Sequence, residues 1–251
     1  DRGNTQLKLS WLHAPQPPPW PGGLIDVAQL RCERLPESLR DLEAMLPGFS
    51  LAALPSTPLI TLSLNEGTPW LDRWRAAGGV IHRLDAAMLP ASAYGPVGSV
   101  DAGRLGTDRA ANVWGFRACF EGPGIVIDAG TATTLECIGA DGSFLGGIIA
   151  PGLASAHAGM RSRAPALPDA LEPPPAKLNL LATDPAEAVK QGAWLGHVAM
   201  LEALCARFQP DADAKVVLTG GFGASLAPHF RRAAYHAPHL TALGALAARM
   251  Q

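Results

Sequence analysis

Gly124-Ile125-Val126-Ile127-Asp128-Ala129-Gly130-Thr131-Ala132-Thr133-Thr134 is the stretch on which the fold turns. A β-branched run that stops at an acid and a glycine reads as a buried strand delivered into a tight turn. Thr133 to Ile138 predicts a second strand, and Ala140-Asp141-Gly142 turns the chain into a third at Phe144 to Ile149. The expectation is an antiparallel meander.

Downstream, the segment after Pro151 reads as helix and Pro165 to Pro175 as loop. The longest helix starts at Asp184-Pro185-Ala186-Glu187, a capping-box arrangement with proline in the first position, and runs to about Phe208. Gly192 and Gly196 lie on one side of it, where a second backbone could come close. Val216 to Thr219 is the next strand, Gly220-Gly221 leads into a helix around Ala224 to Arg232, and an alanine-rich helix closes the chain.

Upstream, a helix is expected from Thr107 to Cys119, with Ala111, Trp114, Gly115 and Ala118 on its inner face. Before it, Pro90 to Gly103 reads as an ordered loop or domain junction. Further back come a strand at Val80 to Leu84, a helix from Thr68-Pro69 to Gly78-Gly79, a strand at Leu59 to Leu64 and a helix at Glu37 to Leu46. Ala14 to Gly23 is a proline-rich surface loop, and Leu7, Leu9 and Trp11 alternate along a first strand. Strands alternating with helices imply an α/β fold.

The two halves share a pattern. Asp1-Arg2-Gly3-Asn4-Thr5 and Asp128-Ala129-Gly130-Thr131-Ala132 are both D-x-G followed by small polar residues, at an offset of 127. An aspartate at a strand end can hold Mg²⁺ or its water, and a glycine lets backbone N–H groups approach phosphate oxygens. Two such turns facing across a cleft would clamp a polyphosphate. Lys8 either neutralises phosphate or is an exposed strand lysine. If Asp1 ends a strand as Asp128 does, that strand precedes the first residue, so the chain is expected to begin a few residues late.

With 251 residues, 48% apolar and 17% charged, the chain can fill one large or two ordinary cores. A net charge of −2 gives no electrostatic reason to expect nucleic acid or an anionic membrane, which leaves a small molecule as the ligand. No apolar run reaches the ~18 residues that span a bilayer, and a cytoplasmic location is expected. Cys32, Cys119, Cys137 and Cys205 form no C-x-x-C pair and read as buried, inert thiols. The seven histidines show no metal-ligand spacing.

Three further motifs carry chemistry. In Gly106-Thr107-Asp108-Arg109, at a helix start, the aspartate complements the helix dipole. Beside an arginine it can also stay ionised and accept a hydroxyl proton while the arginine binds an anion. The glycines of Gly146-Gly147-Ile148-Ile149-Ala150-Pro151-Gly152 either relieve crowding or admit a substrate. Thr219-Gly220-Gly221 opens a strand end toward a helix, a setting suited to an adenosine.

DRGNTQLK, GTDRAAN, DAGTATT, GGIIAPG, TDPAEAVKQG and LTGG, in this order and spacing, resemble the type III pantothenate kinases of the actin-like ATPase superfamily. The resemblance implies two similar ribonuclease-H-like (actin-like) domains with a nucleotide cleft between them. Residues 1–105 would be the half with the first phosphate loop, and 106–251 the half with the second loop and the dimerisation helix. The implied activity is ATP-dependent phosphorylation of pantothenate to 4′-phosphopantothenate, the first step of coenzyme A biosynthesis. The alternatives are another actin-like kinase for a small hydroxylated substrate, or a non-catalytic accessory protein of the same fold.

Carried over residue by residue, the resemblance assigns ATP binding to Asp1, Gly3, Asn4, Thr5, Lys8, Thr131, Gly220 and Gly221, with Asp1 near Mg²⁺. Asp128 would help bind K⁺ or NH₄⁺. Gly106, Thr107, Asp108, Arg109 and Thr183 would bind pantothenate, with Asp108 as general base and Arg109 facing the carboxylate. The family is dimeric. Tyr94 lies twelve residues before Gly106, farther than the family's tyrosine does, and Arg2 stands where an aliphatic residue is commoner.

Overall fold

Ile125-Val126-Ile127 does become a strand buried on both faces, the middle one of a five-stranded mixed sheet. The computed structural model describes residues 2–3, 6–12, 30–34, 41, 50–52, 59–61, 69–84, 105–172, 174–208, 213–232 and 234–249. In chain order the strands are β1 (Arg2–Gly3), β2 (Gln6–Leu12), β3 (Leu30–Arg34), β4 (Leu59–Thr61), β5 (Ile81–Arg83), β6 (Gly124–Ala129), β7 (Ala132–Ile138), β8 (Phe144–Pro151), β9 (Lys215–Thr219) and β10 (Ala234–His236). The helices are α1 (Pro69–Ala76), α2 (Thr107–Cys119), α3 (Leu153–Arg163), α4 (Pro185–Phe208), α5 (Gly223–Leu226) and α6 (Leu240–Arg249).

The large sheet runs β10-β9-β6-β7-β8. β6, β7 and β8 form the expected antiparallel meander, whereas β9 runs parallel to β6 and β10 parallel to β9. In the first half β1, β2 and β3 form an antiparallel sheet, and β4 and β5 a parallel pair. Both halves thus follow three antiparallel strands with a parallel pair.

Alternation along β6 divides the core. Ile125, Ile127 and Ala129 pack with Trp194, Val198, Leu201 and Cys205 of α4. Val126 packs with Phe116 of α2 and Leu240 of α6 on the opposite face. Asp128 shares the parity of Val126, so it too belongs to the face covered by α2 and α6.

Those two helices meet at backbone distance. A Cβ on Gly244 would lie 1.7 Å from the Ala111 carbonyl oxygen, and one on Gly115 would lie 2.3 Å from that of Leu240. Each glycine removes the side chain that would hold the axes apart, and Ala111, Leu243 and Ala247 close completely around the contact. On the other face α4 is capped by Asp184, whose Oδ1 accepts the Ala186 and Glu187 N–H groups at 2.9 and 3.0 Å. The capping box is incomplete, because Glu187 instead accepts from Gln191 Nε2 at 2.6 Å.

The helix expected at Ala224 to Arg232 stops early: α5 ends at Leu226 and one 3₁₀ turn, Ala227–His229, follows. Pro228 has no N–H to continue the ladder, and its ring would crowd the carbonyl four residues back. The chain thereby gains the strand β10, for which its short sequence gave no signal. The helix expected at Glu37 to Leu46 lies outside the described residues except for Asp41, as does the loop at Ala14 to Gly23.

Burial pushes the thiols of Cys119 and Cys137 up to about 12 and that of Cys205 to about 11, so these three are protonated and inert at neutral pH. Among the described residues no helix is long and apolar enough to cross a membrane.

Gly244→Ala should destabilise the chain by about 2–3 kcal/mol, because the new methyl group must separate α2 from α6. Urea denaturation is the measurement, and a midpoint equal to that of the unaltered chain would refute the contact.

Candidate functional site

Asp128 is the penultimate residue of β6 and lies beside Thr219, its register partner on β9, at the carboxyl ends of two parallel strands. This is where open α/β sheets collect ligands. Gly220 adopts φ +82°, a conformation that suits glycine. A Cβ there would lie 2.4 Å from Asp128 Oδ1. The next turn is fastened by the Phe222 N–H, which donates to the Ala129 carbonyl at 3.0 Å. DAG and TGG are therefore one packed unit.

The hairpin at Gly130–Thr131 is backed by the start of α3. Gly152 N–H donates to the Thr131 carbonyl at 3.1 Å, and Ser155 Oγ donates to the same oxygen at 2.6 Å. A Cβ on Gly152 would lie 2.2 Å from the Gly130 carbonyl oxygen, so this glycine relieves crowding. Thr131 remains exposed above the turn.

A buried polar layer lies between the sheet and α2. Thr241 Oγ1 of α6 donates to Asn112 Oδ1 at 2.7 Å. Asn112 Nδ2 donates to Glu136 Oε2 at 3.3 Å and stands 3.5 Å from Asp128 Oδ2. Glu136 Oε1 in turn accepts from Arg109 Nε at 2.9 Å. Glu136 is fully buried, and that burial raises its pKa to about 7 against the lowering pull of the Arg109 guanidinium, with the nearby Asp128 charge adding to the rise.

The rest of the Arg109 fork is shaped by its surroundings. Its guanidinium lies 5.8 Å from the centre of the Phe144 ring. Gly147 is the register partner of Glu136 on β8, and a Cβ there would fall 2.7 Å from Arg109 Nη2 and 1.9 Å from the Leu135 carbonyl oxygen. Nη2 itself is buried and has no hydrogen-bond partner among the described residues. A buried donor left unmatched costs about 1–3 kcal/mol unless water or another acceptor meets it. One residue earlier, Asp108 is exposed and its Oδ1 accepts the Arg109 backbone N–H at 2.9 Å. Gly106 makes room for that carboxylate: a Cβ would lie 2.6 Å from Oδ1.

A chain of contacts thus connects Gly106, Asp108 and Arg109 to Asp128, and Asp128 to Gly220. Thr107 opens α2 between them, and Gly221 is exposed on the turn next to Gly220. Thr183 stands in the exposed stretch before the α4 cap, with no hydrogen bond to Asp108 or Arg109 among the described residues. Gly3 and Lys8 lie on β1 and β2, opposite Gln6 and Arg34. Asp1, Asn4, Thr5 and Tyr94 lie outside the described residues.

Sequence reasoning missed Asn112, Glu136 and Thr241. The available signal was Glu136, an acid amid the apolar positions of a central strand, where an unpaired charge would be prohibitively costly.

Residues 90–207 match the family model described as type III pantothenate kinase. This segment is similar to the type III pantothenate kinases. Curated members of that name include one from Phenylobacterium zucineum, 41% identical over 118 residues, covering 46% of this chain and 45% of the relative. Another, from Nocardia farcinica, is 34% identical over 148 residues, covering 57% and 55%. The chain spans about half the length of the type III pantothenate kinases it matches. A solved structure from Campylobacter jejuni, described as a conserved Baf family transcriptional activator, superposes with a TM-score of 0.53 at 21% identity, over 80% of this chain and 88% of that one. That likeness concerns the fold alone. The matched segment contains Asp108, Arg109, Asn112, Asp128, Thr131 and Glu136, whereas Thr241 of the buried polar layer lies outside it.

Glu136 gives the site a pH signature. Its pKa is raised in the folded state, so stability is greatest below the unfolded carboxylate range and declines as pH rises from about 4.5 to about 7. Glu136→Gln should remove this decline and gain on the unaltered chain by on the order of 2 kcal/mol between pH 5 and pH 7. Parallel denaturation curves at the two pH values, with no relative gain, would count against it.

Proposed function

We propose that the chain transfers the γ-phosphoryl group of ATP to the primary hydroxyl of pantothenate, giving 4′-phosphopantothenate. The observation that carries this reading is the unpaired, buried Nη2 of Arg109 beside the exposed carboxylate of Asp108. A fixed cationic donor next to an exposed base suits an acceptor with a carboxylate at one end and a hydroxyl at the other.

In this reading Arg109 binds the pantothenate carboxylate, with Gly106 and Thr107 lining the approach and Thr183 as a further contact. Asp108 accepts the hydroxyl proton as the oxygen bonds to phosphorus and the bond to the ADP oxygen breaks. Thr131, Gly220 and Gly221 receive the nucleotide from the second half, and Asp1, Gly3, Asn4, Thr5 and Lys8 from the first. The two actin-like halves, 1–105 and 106–251, would enclose the nucleotide between them. Positioning and charge stabilisation supply most of the acceleration in such transfers.

The residues present suit hard cations held largely by phosphate and water. Among the described residues no group of three or more acidic or histidine side chains gathers, while Asp128 offers a carboxylate at the turn. Asp128 would help hold K⁺ or NH₄⁺, and Asp1 would stand near Mg²⁺. Bound with ATP, Mg²⁺ neutralises phosphate charge.

A homodimer is part of the proposal. Ala188, Gly192, Gly196, Ala199, Ala203 and Ala206 are all exposed along one face of α4, and Cβ atoms on either glycine would meet nothing within 4 Å. This smooth stripe is offered to a second copy. The protonated thiols suit a reducing, cytoplasmic setting.

A coupled ADP-release assay with pantothenate, with and without K⁺, tests the activity directly. Asp108→Asn should lower turnover by on the order of a hundredfold or more with ATP binding largely spared; full turnover in that variant would remove Asp108 from the role. For the dimer, Gly196→Arg should yield a monomer in light scattering where the unaltered chain is dimeric. A monomeric unaltered chain, or a variant that still pairs, overturns that part.

A further inference from the structure

We propose that Glu136 is a positioning residue, which fixes the Arg109 fork by its Nε so that Nη2 is left to meet the anionic end of the acceptor. The inference rests on the pantothenate reading and adds a residue to it. Glu136 touches neither nucleotide nor acceptor in that reading and acts through Arg109.

Three independent features of the site support it. The first is the division of labour on one guanidinium: Nε is bonded to Glu136 Oε1 at 2.9 Å, and Nη2 is buried without a partner among the described residues. A carboxylate whose task was only to neutralise Arg109 would pair best side-on, bidentately, and would satisfy both nitrogens. Here the second oxygen, Oε2, is engaged by Asn112 Nδ2 at 3.3 Å. The second is the slot. Gly147 sits opposite Glu136 on β8, and its missing Cβ clears the space 2.7 Å from Nη2, while the Phe144 ring walls the guanidinium at 5.8 Å. The fork therefore has one place to lie.

The third is the support behind Glu136. Asn112 is held from α6 by Thr241 at 2.7 Å and stands 3.5 Å from Asp128 Oδ2. The same amide thus orients Glu136 and borders the carboxylate at the phosphate turn. Arg109 and Asp128, the acceptor end and the nucleotide end of the proposed reaction, are referenced to one frame. Alignment of two reactants needs such a common reference, because small errors of placement cost large factors in rate.

The test compares pantothenate with its analogue in which the carboxylate is a primary amide. In the unaltered chain the acid should be the preferred acceptor. Glu136→Gln should raise KM for pantothenate by about tenfold or more, as expected for loss of one charge-assisted hydrogen bond, while KM for ATP and for the amide changes less than about twofold. Arg109→Met should lose the same preference, and Glu136→Gln added to it should change nothing further. Retained preference for the acid in Glu136→Gln, or full additivity with Arg109→Met, overturns the proposal. A second arm needs no substrate: in the arginine-¹⁵N-labelled chain, with Arg109→Lys for assignment, the Arg109 Nε–H should exchange slowly with solvent. Rapid exchange of that proton in the unaltered chain also overturns it. An unaltered chain with the slow proton but no turnover of either acceptor would sink the pantothenate reading instead.

Discussion

The ion pair between Arg109 and Glu136 joins the helix layer to the sheet in a place where water cannot stand in for either partner. Glu136 is fully buried and the Arg109 side chain is only 15% exposed, so each charge depends on the other for what solvent would have supplied. Removing one partner of such a pair typically costs about 3–5 kcal/mol, since the survivor is left buried and unmatched. The position of α2 along β7 is therefore specified chemically as well as sterically, and with it the exposure of Asp108.

Around this pair the fold supplies closeness. Gly115 and Gly244 bring the backbones of α2 and α6 together, which is what lets Thr241 on one helix reach Asn112 on the other. On the opposite face of the sheet the core is largely apolar, and its buried polar contacts include Thr133 Oγ1 with His197 Nε2 at 3.2 Å and Trp194 Nε1 donating to the Leu171 carbonyl at 3.0 Å. Strand parity decides which face each residue joins. Thr134, Glu136 and Asp128 lie toward α2 and α6, and Thr133, Leu135 and Ile127 toward α4.

Most of the second half was legible because its signals are local. The meander from Gly124 to Pro151, the cap at Asp184 and the glycine turn at Gly220 each announce themselves within a few residues. β10 did not, since three residues with two of them exposed carry no pattern of their own and exist as a strand only because β9 offers an edge. The buried network was illegible for a different reason. Asn112, Glu136 and Thr241 are 24 and 105 residues apart along the chain, and nothing near any one of them names its partners. The glycines of GGIIAPG left two meanings open in sequence. For Gly147 and Gly152 the backbone atoms within 2.2 Å of a would-be Cβ decide for crowding.

Burial pushes the Glu136 carboxyl up to about 7, so both its ionised and its protonated forms are accessible near neutral pH. In the first form it can only accept, and Asn112 and Arg109 both donate toward it. In the second it also owns an O–H, which must find an acceptor within the buried layer. One rigid framework consequently holds two hydrogen-bond wirings of different net charge. The two wirings differ by a single proton.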